Sequence, residues 1–352
     1  MKTKHQDQIW MSRCLELAKK GHHQVAENPM VGAVLVHDGK IIGEGYHHQF
    51  GGDHAEVIAI NAVKDRSLLK TSCLYVSLEP CAHFGKTPPC SAYIVEHQIP
   101  KVVIATIDPF SEVSGKGIEK LKAHNIEVVL GILEAEARFL NRRFFVFHKQ
   151  KRPYLILKWA ESADGFIDKE RTQNETGSFP ISQTESQYLN HRWRAEEDAI
   201  LVGYQTALVD NPKLNTRAYF GQNPLRLVID KHQALPKTLN LFDQTIPTWK
   251  LSEKSIQKID NQSIEECDIQ DYTALFSHLY DAGIQSVLVE GGGKTHALFY
   301  EQAWWDEIRI IKSKKNIQKG KKALQVDQTL DRNQHRYLSD TYIQIINPKL
   351  EL

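Results

Sequence analysis

His54-Ala55-Glu56, followed by Glu79-Pro80-Cys81 and then Cys90, decides how this chain is read. A neutral imidazole and two thiolates are donors that zinc prefers. Three protein ligands leave the fourth tetrahedral position open to water. Zinc lowers the pKa of such a water to about 7. Glu56, two residues from the ligand histidine, is a spare carboxylate placed to carry protons. His54, Cys81 and Cys90 are therefore the expected metal ligands and Glu56 the expected catalytic acid/base, with one Zn2+ per chain.

The surrounding pattern gives these residues an α/β frame. Ile9, Met11, Cys14, Leu15 and Ala18 recur at helical spacing, and Val31 to Tyr46 reads as a hairpin about Asp38-Gly39. A helix is expected from about His54 to Val63, a strand over Leu74 to Leu78 and a helix over Cys90 to His97. The strands Val102 to Ile107 and Ile126 to Val129 flank a helix from Gly117 to His124. Alternation of this kind implies a mixed sheet with helices on both faces, and the zinc residues fall beyond strand ends, where open α/β sheets place their sites.

At 352 residues the chain exceeds one ordinary hydrophobic core, so two domains are expected. A single helix from Glu134 to His148 leads into Lys149-Gln150-Lys151-Arg152-Pro153, which sets the expected boundary: 1–150 and 151–352. The second half repeats an α/β pattern. Strands are expected at Tyr154 to Trp159, Ala199 to Gly203, Leu225 to Asp230, Ser286 to Glu290, Glu307 to Lys312 and Thr341 to Ile346. Helices are expected over Gln183 to Arg194, Thr273 to Ala282 and Lys294 to Gln302, while the polar tract 238–271 has no clear period. Val287-Leu288-Val289-Glu290 runs into Gly291-Gly292-Gly293 and a helix, where bare N–H groups suit a phosphate. It is not the Gly-x-Gly-x-x-Gly of a Rossmann fold.

Apolar residues make up 41% and charged residues 25% of the chain, as in ordinary globular proteins. A net charge of +1 offers no global attraction to nucleic acid or anionic membranes. Five cysteines without a paired framework fit a reducing compartment. With no apolar signal segment and no long apolar run, a cytoplasmic location is expected.

Zinc with a His and two Cys, and a Glu that is not a ligand, is also the equipment of nucleobase deaminases. More specifically, Asn28-Pro29-x-Val31-Gly32, Gly45-Tyr46-His47, His54-Ala55-Glu56 and the run from Glu79-Pro80-Cys81 to Thr87-Pro88-Pro89-Cys90 resemble the deaminase half of the bifunctional riboflavin-biosynthesis deaminase/reductases. The eight residues between Cys81 and Cys90 set this family apart from cytidine and tRNA-adenosine deaminases. Lys158-x-Ala160-x-Ser162-x-Asp164-Gly165, Arg194-Ala195-x-x-Asp198 to Gly203, and Thr206-x-x-x-Asp210-Asn211-Pro212-x-Leu214-x-x-Arg217 resemble its reductase half.

The resemblance covers essentially the whole chain. It implies a cytidine-deaminase-like α/β/α sandwich followed by a dihydrofolate-reductase-like α/β domain. It also implies deamination of 2,5-diamino-6-(5-phosphoribosylamino)pyrimidin-4(3H)-one. Reduction of the ribosyl to the ribityl side chain by NADPH follows, through a ring-opened imine. The implied substrate contacts are Asn28, His47, His83 and Lys86 in the first half, and Ser178, Arg194, Leu214, Arg217 and Glu290 in the second. Lys86 is a point charge suited to the substrate phosphate, and paired arginines suit phosphate oxygens. The implied NADPH contacts are Ala160, Thr206, Asp210 and the segment Gly292, Gly293, Lys294, Thr295, His296, Ala297 and Leu298. The expected partners are the small phosphoribosyl-pyrimidine and further copies of the chain in a homo-oligomer, with no nucleic acid and no membrane.

Three positions depart from the family pattern. Phe110 stands where Asp-Pro-Asn has its polar residue, removing a polar contact. Ser178-Phe179-Pro180-Ile181 lacks the tryptophan of Ser-x-Trp-Ile, so Phe179 is the candidate replacement. Lys231 replaces a common serine after Val228-Ile229-Asp230 and reads as a surface lysine, the alternative being a hold on the 2′-phosphate of NADPH. Two rivals have other features. A nucleoside or tRNA deaminase fits neither the neutral charge nor the long insert. A zinc-stapled binding module needs a fourth protein ligand, and Cys14, Cys73 and Cys267 have no motif context to supply one.

Overall fold

A computed structural model describes the chain except residues 1, 23–24, 26, 83–88, 111–113, 174, 254–255, 259–262 and 266–271, with backbone alone at 2–4, 256–258 and 263–265. The chain forms two compact units, 1–150 with Leu352, and 151–351.

In the first unit α1 (Lys2–Ala18) precedes the hairpin β1 (Gly32–His37) and β2 (Lys40–Tyr46). Asp38 and Gly39 both take positive φ, 45° and 70°, as a type I′ turn requires. Then follow α2 (Ala55–Asn61), β3 (Cys73–Val76), α3 (Cys90–Glu96), β4 (Lys101–Ile104), α4 (Lys116–Ala123) and β5 (Glu127–Leu130). The sheet order is β2-β1-β3-β4-β5. β1 is antiparallel to both neighbours, and the β3–β4 and β4–β5 pairs are parallel.

Alternate residues of the strands feed two cores. Ala33, Leu35, Leu74, Val76, Val102 and Ile104 pack with Ala59 and Ile60 of α2, Ile94 of α3 and Leu121 of α4. Val34, Val36, Tyr75 and Val103 pack on the opposite face with Met11, Cys14 and Leu15 of α1. This is the expected α/β/α sandwich. The expected single helix from Glu134 to His148 is instead two, α5 (Glu134–Leu140) and α6 (Arg142–Gln150). Asn141 sits at the break because its amide exchanges hydrogen bonds of 2.8 and 2.9 Å with the backbone of Met30. The break secures the segment that enters β1.

The second unit contains β6 (Tyr154–Glu161), β7 (Phe166–Lys169), α7 (Ser186–Glu196), β8 (Ala199–Val202), α8 (Tyr204–Asp210) and β9 (Leu225–Ile229). It continues with β10 (Thr248–Leu251), β11 (Ile256–Lys258), β12 (Ser263–Glu265), α9 (Tyr272–Asp281), β13 (Ser286–Val289), α10 (Gly293–Glu301) and β14 (Glu307–Lys312). β15 (Gly320–Lys322), β16 (Asn333–Tyr337) and β17 (Asp340–Ile346) complete it. The main sheet runs β12-β11-β10-β9-β8-β13-β6-β14-β17-β16, and β15 pairs with β7 in a separate ribbon.

The strands from β10 to β14 in that order are mutually parallel, with antiparallel strands at both edges. β8 and β13 are buried on every residue, as parallel strands covered on both faces must be. One face carries Leu155, Leu157, Val287, Val289 and Ile308 against Tyr272, Phe276 and Phe299 of α9 and α10. On the other face Trp193 of α7 meets Tyr342 of β17, ring centroids 5.0 Å apart.

Candidate active sites

In the first unit the strand ends deliver the metal residues. His54 is the extended residue that starts α2, so its ring is held at the helix mouth and Glu56 falls in the first turn. Cys90 opens α3 behind Pro89, whose fixed φ suits a helix start. Cys81 follows β3, and its sulfur accepts a 3.3 Å hydrogen bond from the Cys90 backbone N–H. His54 Nδ1 lies 3.1 Å from Cys90 Sγ and 3.5 Å from Cys81 Sγ, and all three donor atoms fall within 4.8 Å of one another. A tetrahedral ion with bonds of about 2.0–2.3 Å sets its ligands roughly 3.5 Å apart. The donor set fits zinc and holds no fourth protein ligand among the described residues.

The electrostatics favour the ligand form at Cys81, while the hydrogen bond to Cys81 and burial raise the Cys90 thiol. Hydrogen bonds from Cys90 and His54 draw the Cys81 thiol down to about 4, a thiolate at neutral pH. That thiolate in turn raises His54 to about 9. A metal ion binding here displaces the shared proton. Glu56 is 3% exposed, and burial pushes its carboxyl up to about 7, the range a proton carrier needs at neutral pH.

Asn28 and His47 come together beside the metal residues. Burial lowers His47 toward its neutral form. Its Nδ1 faces the Asp53 carbonyl at 3.1 Å, so Nδ1 carries the proton and Nε2 accepts from Asn28 Nδ2 at 3.0 Å. The His47 ring stands edge-on to His54 at 5.5 Å. His83 and Lys86 lie outside the described residues. Phe110 turns to the His148 ring, 5.2 Å between centroids.

Glu79 is the residue whose part the motifs did not reveal. Its buried carboxylate accepts backbone N–H bonds from Gly115 and Gly117 at 2.9 Å, Ile118 at 3.3 Å and Asp108 at 3.4 Å. A negative charge at the start of α4 is also favoured by the helix dipole. Gly117 is glycine for a steric reason: a Cβ there would lie 2.0 Å from the Pro80 carbonyl. Glu79 and Gly117 thus clamp Pro80-Cys81 from behind.

In the second unit Arg194, Glu290 and Lys158 form one buried charge cluster. Arg194 binds Glu290 through two bonds, 3.0 and 2.7 Å, and Lys158 Nζ lies 3.7 Å from the same carboxylate. Burial alone raises the Glu290 carboxyl, but Arg194 and then Lys158 outweigh it and hold it at about 2. Its ordinary value is 4.5, so folding gains stability from Glu290 above that pH and loses it as pH falls toward about 2. Glu290→Gln is expected to flatten the acid limb of the melting-temperature profile between those values, measured by calorimetry. Arg194 Nη1 and His191 Nδ1 both donate to the Asn215 carbonyl, at 3.2 and 2.7 Å. Arg217 donates to Asn215 Oδ1 at 2.8 Å. Arg194, Arg217 and Glu290 are thereby linked, with Leu214 buried between them in sequence.

A cavity of about 1140 Å³ lies in the same unit, and Arg194, Leu214, Arg217 and Glu290 are not among its walls. Thr206, Asp210, Gly292, Gly293, Lys294, Thr295 and Leu298 line it, together with Ser178. Ala160, His296 and Ala297 are not among its walls. His296 is turned into the core, with Nε2 3.1 Å from the Val289 carbonyl. The glycines permit the wall to form: a Cβ on Gly203 would lie 2.4 Å from Thr295 Oγ1, and one on Gly291 2.8 Å from Thr295 Cβ. Arg171, absent from the sequence motifs, donates to Asp168 at 2.7 Å and reaches Asp210 at 3.4 Å. Phe179 lines the cavity under the Lys169 ammonium, 5.6 Å from its ring centre, and Lys231 lines it too. The lining of glycines, lysines and a helix N-terminus fits a phosphate-bearing dinucleotide.

The comparisons agree with this geometry in both units. Residues 4–106 match the cytidine and deoxycytidylate deaminase zinc-binding region, and 153–315 match the RibD C-terminal domain. Riboflavin biosynthesis protein RibD of Aquifex aeolicus is 37% identical over 322 residues, 89% of this chain and 88% of the relative. That of Bacillus amyloliquefaciens is 38% identical over 316 residues, 86% and 83% of the two chains. A diaminohydroxyphosphoribosylaminopyrimidine deaminase/5-amino-6-(5-phosphoribosylamino)uracil reductase from Thermotoga maritima superposes with a TM-score of 0.84 at 35% identity, covering 98% of this chain and 99% of the other. RibD of Acinetobacter baumannii gives 0.84 at 31% identity, with 97% and 99% covered. Relatives 37% and 38% identical over 89% and 86% of this chain, with a fold shared over 98% of it, place the chain in the RibD family of bifunctional riboflavin-biosynthesis deaminase/reductases.

Proposed function

We propose that the 1–150 unit hydrolytically deaminates 2,5-diamino-6-(5-phosphoribosylamino)pyrimidin-4(3H)-one. The 151–351 unit then reduces the resulting 5-amino-6-(5-phosphoribosylamino)uracil to its ribityl form. The observation that carries this is Glu56, buried yet not a ligand, beside a triad with one coordination position to spare. Zinc, held by His54, Cys81 and Cys90, supplies an activated water. Glu56 takes the water's proton and returns it to the departing ammonia. His47, neutral and fixed by the Asp53 carbonyl, orients Asn28, which presents a donor and an acceptor to the pyrimidine edge. Lys86 and His83 complete the substrate contacts.

In the reductase unit NADPH supplies the hydride. Gly292 to Thr295 at the start of α10 receive its phosphates, with Thr206 and Leu298 along the cavity wall. Ser178, Arg194, Leu214, Arg217 and Glu290 contact the substrate, with the two arginines suited to its phosphate. Asp210 stands at the cavity with its carboxyl raised by burial, suited to proton delivery to the opening sugar. The enzyme works in the cytoplasm as a homo-oligomer. The described cysteines, Cys14, Cys73, Cys81 and Cys90, form no disulfide, which suits a reducing compartment. No described helix is long and apolar enough to cross a membrane.

The division of labour in the reductase is tested by Arg217→Ala and Asp210→Asn. Hydrogen bonds to charged groups contribute roughly 1.5–3 kcal/mol, which is about a ten- to hundred-fold weakening. Arg217→Ala is expected to raise the substrate KM by that factor with little change in NADPH affinity. Asp210→Asn is expected to lower kcat more than substrate affinity. Steady-state kinetics on the deaminated intermediate measure both. Unchanged kinetics in the two variants would return Asp210-Asn211-Pro212 to the status of a plain turn.

A further inference from the structure

The segment that carries Leu214 and Arg217 has no helix or strand of its own, and its backbone is strained. Asn211 has φ 42° and Leu214 φ 50°, two left-handed non-glycine residues within four positions. Such conformations persist only where the surroundings over-determine them. On one side His191 and Arg194 grip the Asn215 carbonyl.

On the other side stands Arg226 of β9, the largest fully buried side chain described, at 0% exposure. Its Nε donates to Thr248 Oγ1 at 2.8 Å, and its Nη2 to Ile246 O at 2.8 Å and Asp243 Oδ1 at 3.0 Å. Its Nη1 donates to Asn240 O at 3.1 Å and reaches Lys213 O at 3.5 Å. Asn240 passes the restraint on: its backbone N–H donates to Asn211 Oδ1 and its side-chain amide to Asn211 O, both at 2.7 Å. A buried guanidinium is costly unless its donors are matched, and here they bind residues 240 to 248 and reach the strained segment itself at Lys213.

We propose that Arg226 and Asn240 are positioning residues of the reductase site: they hold the 211–214 turn in its left-handed form and so aim Leu214 and Arg217 at the substrate. Asp210 depends on them less, because it is the last residue of α8 and the helix holds it. The brace therefore acts on substrate binding and not on the cofactor cavity. The proposal rests on the reading of Leu214 and Arg217 as substrate contacts.

Asn240→Ala removes one bond of the brace, and Arg226→Lys removes its fork while keeping the charge. Because Arg226→Lys bears on folding as well, Asn240→Ala is the primary variant. Ammonia release by the deaminase unit and thermal melting serve as controls. With the protein folded at the assay temperature, Asn240→Ala is expected to raise the KM for 5-amino-6-(5-phosphoribosylamino)uracil about tenfold. NADPH affinity, read by fluorescence titration, should change less than twofold.

In a double-mutant cycle, Asn240→Ala made on top of Arg217→Ala should have little further effect on KM. Additive effects, or a lowered melting temperature with unchanged KM while Arg217→Ala raises KM, would overturn the brace and leave the site assignment standing. If neither Arg217→Ala nor Asn240→Ala moves KM, the site assignment and the brace fall together.

Discussion

Glu56→Gln is expected to abolish ammonia release while leaving zinc bound. The amide keeps the size of the side chain and sits where the carboxylate sat, 3% exposed and adjoining the triad, but it cannot carry a proton. General acid/base groups typically contribute about 10²–10⁴-fold. One group serving two proton transfers belongs at or above the top of that range. Because Glu56 is not a ligand, metal content measured by atomic absorption should match that of the unaltered chain. Near-normal ammonia release would remove Glu56 from the mechanism, and loss of zinc would make it a support for the metal.

Cys81→Ser or Cys90→Ser is expected to lose both zinc and deamination yet spare reduction. The Cys81 thiolate is held by Cys90 and His54, so removing either sulfur dismantles the donor set. The hydrophobic cores of the two units are separate, lying on both faces of the β1–β5 sheet in the first and on the main sheet in the second. Reduction should be assayed directly on 5-amino-6-(5-phosphoribosylamino)uracil. Loss of both activities in a folded protein would contradict the independence of the two units.

The ligand residues were legible in the sequence because zinc chemistry restricts both residue type and spacing. His54, Cys81 and Cys90 needed no long-range contact to be recognised. Strands β6, β8, β13 and β14 were legible as well, since continuous apolar runs mark a covered parallel sheet. What escaped depends on partners far along the chain. Glu79 binds amides of residues 108 to 118, a relation no local pattern encodes. The break at Asn141 is set by Met30.

Arg226 lies in Leu225-Arg226-Leu227-Val228-Ile229, where one charged residue suggests a solvent-facing position; its partners, residues 240 to 248, lie in the tract without period. β16 is an edge strand of polar, mostly exposed residues, so it carries no alternation to read. The cluster Gly291-Gly292-Gly293 was legible as a strand running into a helix start, and Gly292 and Gly293 line the cavity. That His296 turns inward to Val289 is decided by packing against Trp159, 5.3 Å between ring centres.

The most direct test of the whole account is one coupled measurement on the intact chain. Zinc stoichiometry is determined first. The protein is then given 2,5-diamino-6-(5-phosphoribosylamino)pyrimidin-4(3H)-one with NADPH, and ammonia release and NADPH oxidation are followed together, with cytidine as the control substrate. The expected result is one zinc per chain, ammonia followed by equimolar NADPH oxidation with the phosphoribosyl-pyrimidine, and no ammonia or NADPH oxidation with cytidine. Ammonia from cytidine, or zinc-loaded protein that releases no ammonia and oxidises no NADPH with the phosphoribosyl-pyrimidine, would contradict it.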